Sequence, residues 1–189
     1  MSAGQRTLSS GPPEQIGLSQ GLVIRRYRRE DARALGHAVT QSIDHLRPWM
    51  PWVQFEPQSV EQREQLIDQW IASWDSGTEF VMGLFEDETC IGSTGVHLRG
   101  EEGTVDLGYW LVSTHIGRGI MTAVVHQLFA VSCAFSEINC VDIVNDAANV
   151  ASGAVARRCG FSMIEEFEHE IEAPSESGRR LRWRKPCLT

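Results

Sequence analysis

The segment Val112-Ser113-Thr114-His115-Ile116-Gly117-Arg118-Gly119-Ile120-Met121-Thr122 carries the most information about architecture. It follows an apolar strand-like run, TVDLGYWLV at 104–112. It precedes the stretch 119–136, which contains no Asp, Glu, Lys or Arg. A strand therefore runs into a Gly-x-Gly turn and then directly into a helix, expected over about 120–135. Glycine lets the backbone turn sharply and come close to a ligand. The unpaired N–H groups and positive dipole end of a helix start attract an anion, typically a phosphate or pyrophosphate. A plain strand-to-helix turn is the alternative. Two nucleotide motifs are excluded: Thr122 occupies the third glycine position of GxGxxG, and GxxxxGK[ST] does not occur.

Outward from this turn the chain alternates strand and helix signals. Residues 22–27 read as a short strand and 32–42 as a helix. The segment His45-Leu46-Arg47-Pro48-Trp49-Met50-Pro51-Trp52 is interrupted by two prolines and is not expected to be a regular helix. Leu66, Ile67, Trp70, Ile71 and Trp74 form an amphipathic stripe, so Trp70 and Trp74 read as core. Strands at 80–85 and 90–98 form a hairpin around Glu86-Asp87-Glu88. A nearly continuous apolar strand at 138–144 suits a buried parallel position. Asn149 opens a helix that Gly160 closes, and 161–171 and 180–183 read as closing strands. Antiparallel strands followed by a βαβα stretch imply one α+β (mixed α/β) domain with helices on a single sheet.

The chain has 189 residues, 42% of them apolar and 22% charged, as expected of an ordinary globular domain. Residues 1–20 are rich in Ser, Gly, Pro and Gln and read as a flexible tail, leaving 21–189 as the domain. A net charge of −8 argues against a nucleic-acid partner and fits a cationic one, or simple solubility. The five cysteines, Cys90, Cys133, Cys140, Cys159 and Cys187, show no CxxC spacing, so neither disulfides nor a metal site is expected. The N-terminal residues lack an apolar core, and 119–136 contains Thr122, His126, Gln127 and Ser132. No secretory signal and no membrane span are expected, and the cytoplasm is the expected compartment.

The second informative stretch is Asn149-Val150-Ala151-Ser152, followed by Ala154-Val155-Ala156-Arg157-Arg158-Cys159-Gly160-Phe161. Asn149 is a good N-cap, with Ser152 three residues on. LGYWLVSTHIGRGIMTAVV resembles the acetyl-CoA-binding segment of GNAT-superfamily acetyltransferases, and NVASGAVARRCGF resembles their N-x-x-S…GF helix. HLRPWMPW is similar to the RimJ/RimL subgroup, which acetylates ribosomal-protein N-termini. The resemblance covers roughly residues 20–185. It implies a mostly antiparallel sheet with one splayed parallel strand pair. It also implies acetyl-CoA held by Leu111, Val112, Ile116, Gly117, Arg118, Gly119, Ile120, Met121, Thr122, Asn149 and Ser152. Two departures stand out. Ile116 and Met121 replace polar or small residues of the usual loop, and Ala156 stands where many relatives place a proton-donating Tyr, which leaves Ser152 as the candidate acid.

The implied reaction is transfer of acetyl to a primary amine by direct attack on the thioester. A protein N-terminal α-amine is the first acceptor; a small amine (antibiotic, polyamine or amino acid) or a non-catalytic acyl-CoA-binding module are the alternatives. Proximity supplies much of the rate, and the resemblance assigns oxyanion stabilisation to a backbone N–H of strand 107–112. An α-amine titrates near about 7.7–8.0, so a modest base suffices. Asp106, a carboxylate within an apolar strand, is the first base candidate, and His97 the second; either also reads as structural. Trp49 and Trp52 either wall the acceptor site or plug the core. His115, Arg118, Arg157 and Arg158 either meet phosphates or lie in solvent. A homodimer is an option the resemblance raises.

Overall fold

The computed structural model describes residues 6–187. In chain order the main elements are β1 (Gln15–Gly17), β2 (Leu22–Arg26), α1 (Ala32–Leu46), α2 (Val60–Asp75), β3 (Glu79–Glu86), β4 (Thr89–His97), β5 (Thr104–Leu111), α3 (Ile120–Ser132), β6 (Cys140–Asp146), α4 (Val150–Arg158), β7 (Ser162–Glu168) and β8 (Arg179–Pro186). The strands form one sheet in the order β1-β2-β3-β4-β5-β6-β8-β7. Every pairing is antiparallel except β5–β6. This is the mixed α/β sheet with flanking helices expected from the sequence.

The parallel pairing is short. It runs from Thr104↔Cys140 to Asp106↔Asp142 and stops. β5 then follows β4 as far as Leu111↔Gly92, while β6 follows β8 as far as Asp146↔Arg180. Each strand stays with its antiparallel neighbour and the two part, opening a wedge in the middle of the sheet. Helices α1 and α2 pack on each other and on β3–β4; α3 packs on β5, and α4 on β6 and β8. The core between them includes Ile24, Phe80, Met82, Val96, Val105, Val124, Leu128 and Val141, all buried. With only 13 residues, α3 falls short of a bilayer, and no described helix is long and apolar enough to cross one.

Several expectations are corrected. Residues 6–20 are not a loose tail: Gln15–Gly17 pairs with β2, and Leu8 and Ile16 are buried in the core, so two apolar anchors outweigh the Ser/Gly/Pro composition. Residues 1–5 lie outside the described region. Helix α1 runs on to Leu46, and Pro51 starts a short 3-10 turn, Pro51–Phe55, a position where its missing N–H costs nothing. Trp74 is core, but Trp70 is half-buried and stacks on Tyr27 at a centroid distance of 5.2 Å. Cys133 and Cys187 form a disulfide 54 residues apart in sequence. Spacing rules detect local pairs, whereas here the sheet brings the end of β8 beside the end of α3. Cys187 N–H donates to Asn139 O at 2.8 Å.

The loop carrying Trp49 and Trp52 is held from both sides. Pro48 O accepts from Ser175 N–H at 3.0 Å, across the wedge. At the other end Glu56 accepts from Arg63 of α2 at 2.6 Å, with both side chains nearly inaccessible to water. Glu56 Oε2 also accepts from Gln58 N–H at 3.1 Å, while its other carboxylate oxygen is buried without a partner among the described residues. Removing one partner of such a pair strands the other in the interior, at a cost of about 3–5 kcal/mol. Arg63→Ala should therefore lower unfolding stability by that amount in urea titration. Alanine at the exposed ion-pair residue Arg29 should change it far less.

Candidate active site

On one side of the wedge lies the turn between β5 and α3. Gly117 and Gly119 both adopt φ 76°, in the left-handed region that favours glycine. A Cβ on either would meet nothing within 4 Å, so both face open space. The helix ladder begins with Ala123 N–H donating to Gly119 O at 3.1 Å. The N–H groups of Ile120, Met121 and Thr122 therefore have no helical partner and point out of the first turn. They border a cleft of about 430 Å3 lined by Leu111, His115, Ile116, Gly117, Gly119, Ile120, Met121, Thr122, Asn149 and Ser152. Arg158 lines it too, its Nε 3.4 Å from Thr122 Oγ1.

Val112 and Arg118 fall outside this lining. Val112 is buried beneath the turn, and the Arg118 guanidinium lies on Glu86 at 3.4 Å. His115 Nε2 is 3.3 Å from the same carboxylate. These two neighbours, His115 first, hold the Glu86 carboxyl below the usual range, so it stays ionised beside the turn. Arg157 lies over the Trp183 ring instead. Ile116 is half-exposed at the cleft mouth.

On the other side of the wedge lies a larger cleft of about 710 Å3. Its wall contains Trp49, Trp52, Trp70 and Trp110, with Trp52 and Trp110 at a centroid distance of 6.1 Å. Glu79, His97 and Asp106 line its floor, placed there by strand register. Glu79, His97, Asp106, Asp142 and Arg184 are successive cross-strand partners, one row of ionisable groups across β3, β4, β5, β6 and β8. Arg184 holds the buried Asp142 with two hydrogen bonds of 2.8 Å each. Asp106 and His97, the two base candidates read from the sequence, stand side by side on this floor. Burial, and next the charge of Asp142, raise the Asp106 carboxyl above its ordinary range; Arg182, His97 and Arg99 oppose the shift.

The two clefts share Trp49, Met50, Tyr109, Trp110, Asn149 and Ser152. Asn149 caps α4, its Oδ1 accepting from Ser152 N–H at 3.2 Å. Asn145 Nδ2 in turn donates to Asn149 O at 3.2 Å, and Trp183 Nε1 donates to Asn145 Oδ1 at 2.7 Å. These contacts fix the start of α4 against the end of β6. Ser152 Oγ then lies 3.1 Å from the Tyr109 hydroxyl. Tyr109 was not singled out from sequence. Desolvation pushes its phenol up to about 12, so it keeps its proton at neutral pH. Ala156 is fully buried, which leaves no room for a phenol on α4. Tyr109 of β5 instead sets a phenol beside Ser152 on α4.

The backbone at the parting also has a direction. Val112 N–H donates to Ile91 O of β4 at 2.8 Å. Strand N–H groups alternate edges, so those of Tyr109 and Leu111 point the other way, toward the gap that β6 has left. The elevated Asp106 carboxyl has a consequence for stability. An unfolded aspartate titrates near about 3.9, so between that pH and its higher native value the folded chain binds the extra proton. Stability linked to Asp106 is full below this window and falls as pH rises through it. Asp106→Asn should be more stable than the parent at pH 7, with the difference shrinking toward pH 3 in thermal unfolding.

Comparison with known proteins agrees with this architecture. Residues 21–162 match the acetyltransferase (GNAT) domain family. YdaF of Bacillus subtilis (strain 168), a candidate ribosomal N-acetyltransferase by name, is 26% identical over 145 residues, covering 76% of this chain and 79% of YdaF. The structure of RimL, a ribosomal L7/L12 alpha-N-protein acetyltransferase in complex with coenzyme A, superposes with TM-score 0.83 at 22% identity, over 92% of this chain and 98% of that one. The microcin C7 self-immunity acetyltransferase MccE, in complex with acetyl-CoA and AMP, gives TM-score 0.84 at 19% identity, over 94% and 98% of the chains. With a matched domain spanning most of its length, and a splayed strand pair leading into an open glycine turn, the chain belongs to the GNAT family of acetyl-CoA-dependent acetyltransferases.

Proposed function

We propose that the protein acetylates the α-amine at the N-terminus of a protein or peptide. The observation that carries this reading is the wedge itself. A narrow cleft with a glycine turn and a wide cleft with ionisable groups meet at Tyr109 and Ser152, so a donor and an amine reach each other from opposite faces of the sheet. The relatives named for ribosomal N-terminal acetylation support the choice of acceptor.

The narrow cleft fits coenzyme A. Two glycines with open space where a Cβ would project, followed by the unpaired N–H groups of Ile120, Met121 and Thr122, suit a pyrophosphate. Leu111, Ile116, Met121 and Val155 offer apolar contact to the rest of the molecule, and Arg158 offers a cation. Bound there, acetyl-CoA supplies an activated thioester. The N–H groups of Tyr109 and Leu111 sit ready for the negative charge that develops on the acetyl oxygen, already fixed in direction. Ser152, hydrogen-bonded to the protonated Tyr109, is the proton source for the departing sulfur. The Asp106–His97 side of the wide cleft receives the proton that the amine must lose. Trp49 and Trp52 border the acceptor channel. Such an enzyme would work in the cytoplasm, where acetyl-CoA and new N-termini are available.

The aromatic wall favours a second reading. Four tryptophans around one cleft suit a small amine bearing a planar or apolar group as well as they suit a peptide. A thiol-release assay over N-terminal peptides and small amines decides between the two: the preferred acceptor should show the higher kcat/KM. Tyr109→Phe and Ser152→Ala should each lower kcat about tenfold or more with acetyl-CoA affinity nearly unchanged. In Gly119→Val the left-handed φ costs about 1–2 kcal/mol and a side chain enters the turn. Calorimetry should show acetyl-CoA affinity weakened by about tenfold or more.

A further inference from the structure

The floor of the wide cleft carries one arrangement whose use goes beyond the reading above. His97 Nδ1 lies 2.6 Å from Glu79 Oε1. Glu79, ionised, can only accept, so Nδ1 must be the donor. His97 first, with Arg99 as a further neighbour, holds the Glu79 carboxyl below the usual range. The proton is thereby placed on Nδ1, and Nε2 is left with its lone pair free. Nε2 makes no hydrogen bond among the described residues. The ring does not stand straight up from its strand. It leans along the sheet over the next row of cross-strand partners, Gly95 and Gly108. A Cβ at Gly95 would lie 2.7 Å from Nε2, and one at Gly108 would lie 2.9 Å from it. Two glycines facing each other on β4 and β5 are what permit the imidazole to lie flat, with Nε2 on the Tyr109 side of the row and lining the cleft.

We propose that Glu79 and His97 form the base dyad of the acetyl transfer, with His97 Nε2 taking the proton from the acceptor amine and Glu79 acting as its positioning residue. The inference rests on an amine acceptor entering the wide cleft. Nε2 removes a proton from the incoming ammonium, which frees the nitrogen lone pair to form the C–N bond. The resulting imidazolium is balanced by Glu79 and later releases its proton to water. As the C–S bond breaks, the sulfur gains a proton from the Ser152–Tyr109 pair, and the nitrogen passes its second proton to water, from which the pair is reprotonated. The charged groups facing His97 are Glu79 on β3, Asp106 on β5, and beyond them Arg99, Asp142 and Arg182. The two carboxyl groups beside the ring belong to Glu79 and Asp106, and Arg99 shares Glu79 at 3.2 Å. Asp106, which also stands next to Asp142, is then an electrostatic neighbour of the base.

The test combines kinetics with a spectroscopic readout on the full chain. His97→Gln should lower kcat/KM for the preferred acceptor by about 100-fold or more, with the KM for acetyl-CoA unchanged. Asp106→Asn should lower it less. Glu79→Gln should lower it about tenfold and move the acid limb of the pH profile to lower pH, because a neutral amide supports the imidazolium less well. A purely structural role for Glu79 would leave that limb in place. Independently of turnover, nitrogen-15 NMR of the imidazole should show the Nδ1–H tautomer at neutral to alkaline pH, lost in Glu79→Gln. Wild-type kcat/KM in His97→Gln, a larger loss in Asp106→Asn, an unmoved acid limb in Glu79→Gln, or an Nε2–H tautomer in the parent protein would each overturn the proposal. If no amine in the panel is acetylated, the acceptor reading fails by itself, and the tautomer still decides whether the dyad exists.

Discussion

The structure depends on the point where β5 and β6 stop sharing hydrogen bonds. Their parallel ladder covers only three residue pairs, ending at Asp106 and Asp142. Backbone groups beyond that row face a gap, a condition that a packed sheet ordinarily avoids because unpaired N–H groups are costly. The cost is tolerated here because both strands are secured elsewhere, β5 by β4 and β6 by β8. The same gap is where the two clefts meet, and it leaves main-chain N–H groups of β5 without a strand partner. Chemistry and fold are thus one feature: closing the ladder would complete the sheet and remove the site.

The last paired row also concentrates charge. Asp142 is buried and satisfied by Arg184, whose guanidinium reaches on to Glu101 at 3.0 Å. Asp106 in the next strand has no comparable partner, and its carboxyl is raised accordingly. Two neighbouring aspartates therefore differ in character because one has an arginine across the ladder and the other faces the cleft. Such a division between a satisfied structural group and a poised one is what an active site requires, and it weakens the native state where it occurs.

Much of the architecture was legible because its signals are local. Period-two and period-3.6 patterning located the strands and helices, and the glycines at 117 and 119 marked the turn into α3. The N-cap at Asn149 was equally plain. Contacts between distant elements were harder to read. The Cys133–Cys187 link, the burial of Leu8 and Ile16, and the position of Trp70 at a cleft all depend on which surfaces the sheet brings together. Tyr109 is the instructive omission. Ala156 carries no hydroxyl where the resemblance leads one to expect a Tyr, and a hydroxyl supplied from a different element was the signal to seek. Its pairing with Ser152 spans 43 positions, which no spacing rule covers. Glu79 beside His97 likewise follows from hairpin register and not from either residue alone.

β7 occupies a peculiar place in this sheet. It comes before β8 in the chain but hydrogen-bonds to β8 alone, at the outer edge. It therefore has nowhere to dock until the later strand has settled against β6, so assembly of this half must skip ahead in the chain and then return. Its side chains are largely solvent-exposed, with Met163 and Ile164 among them, so little burial holds it once placed. The outermost ribbon should be the last part to order and the first to fray, while the wedge two strands inward keeps its geometry.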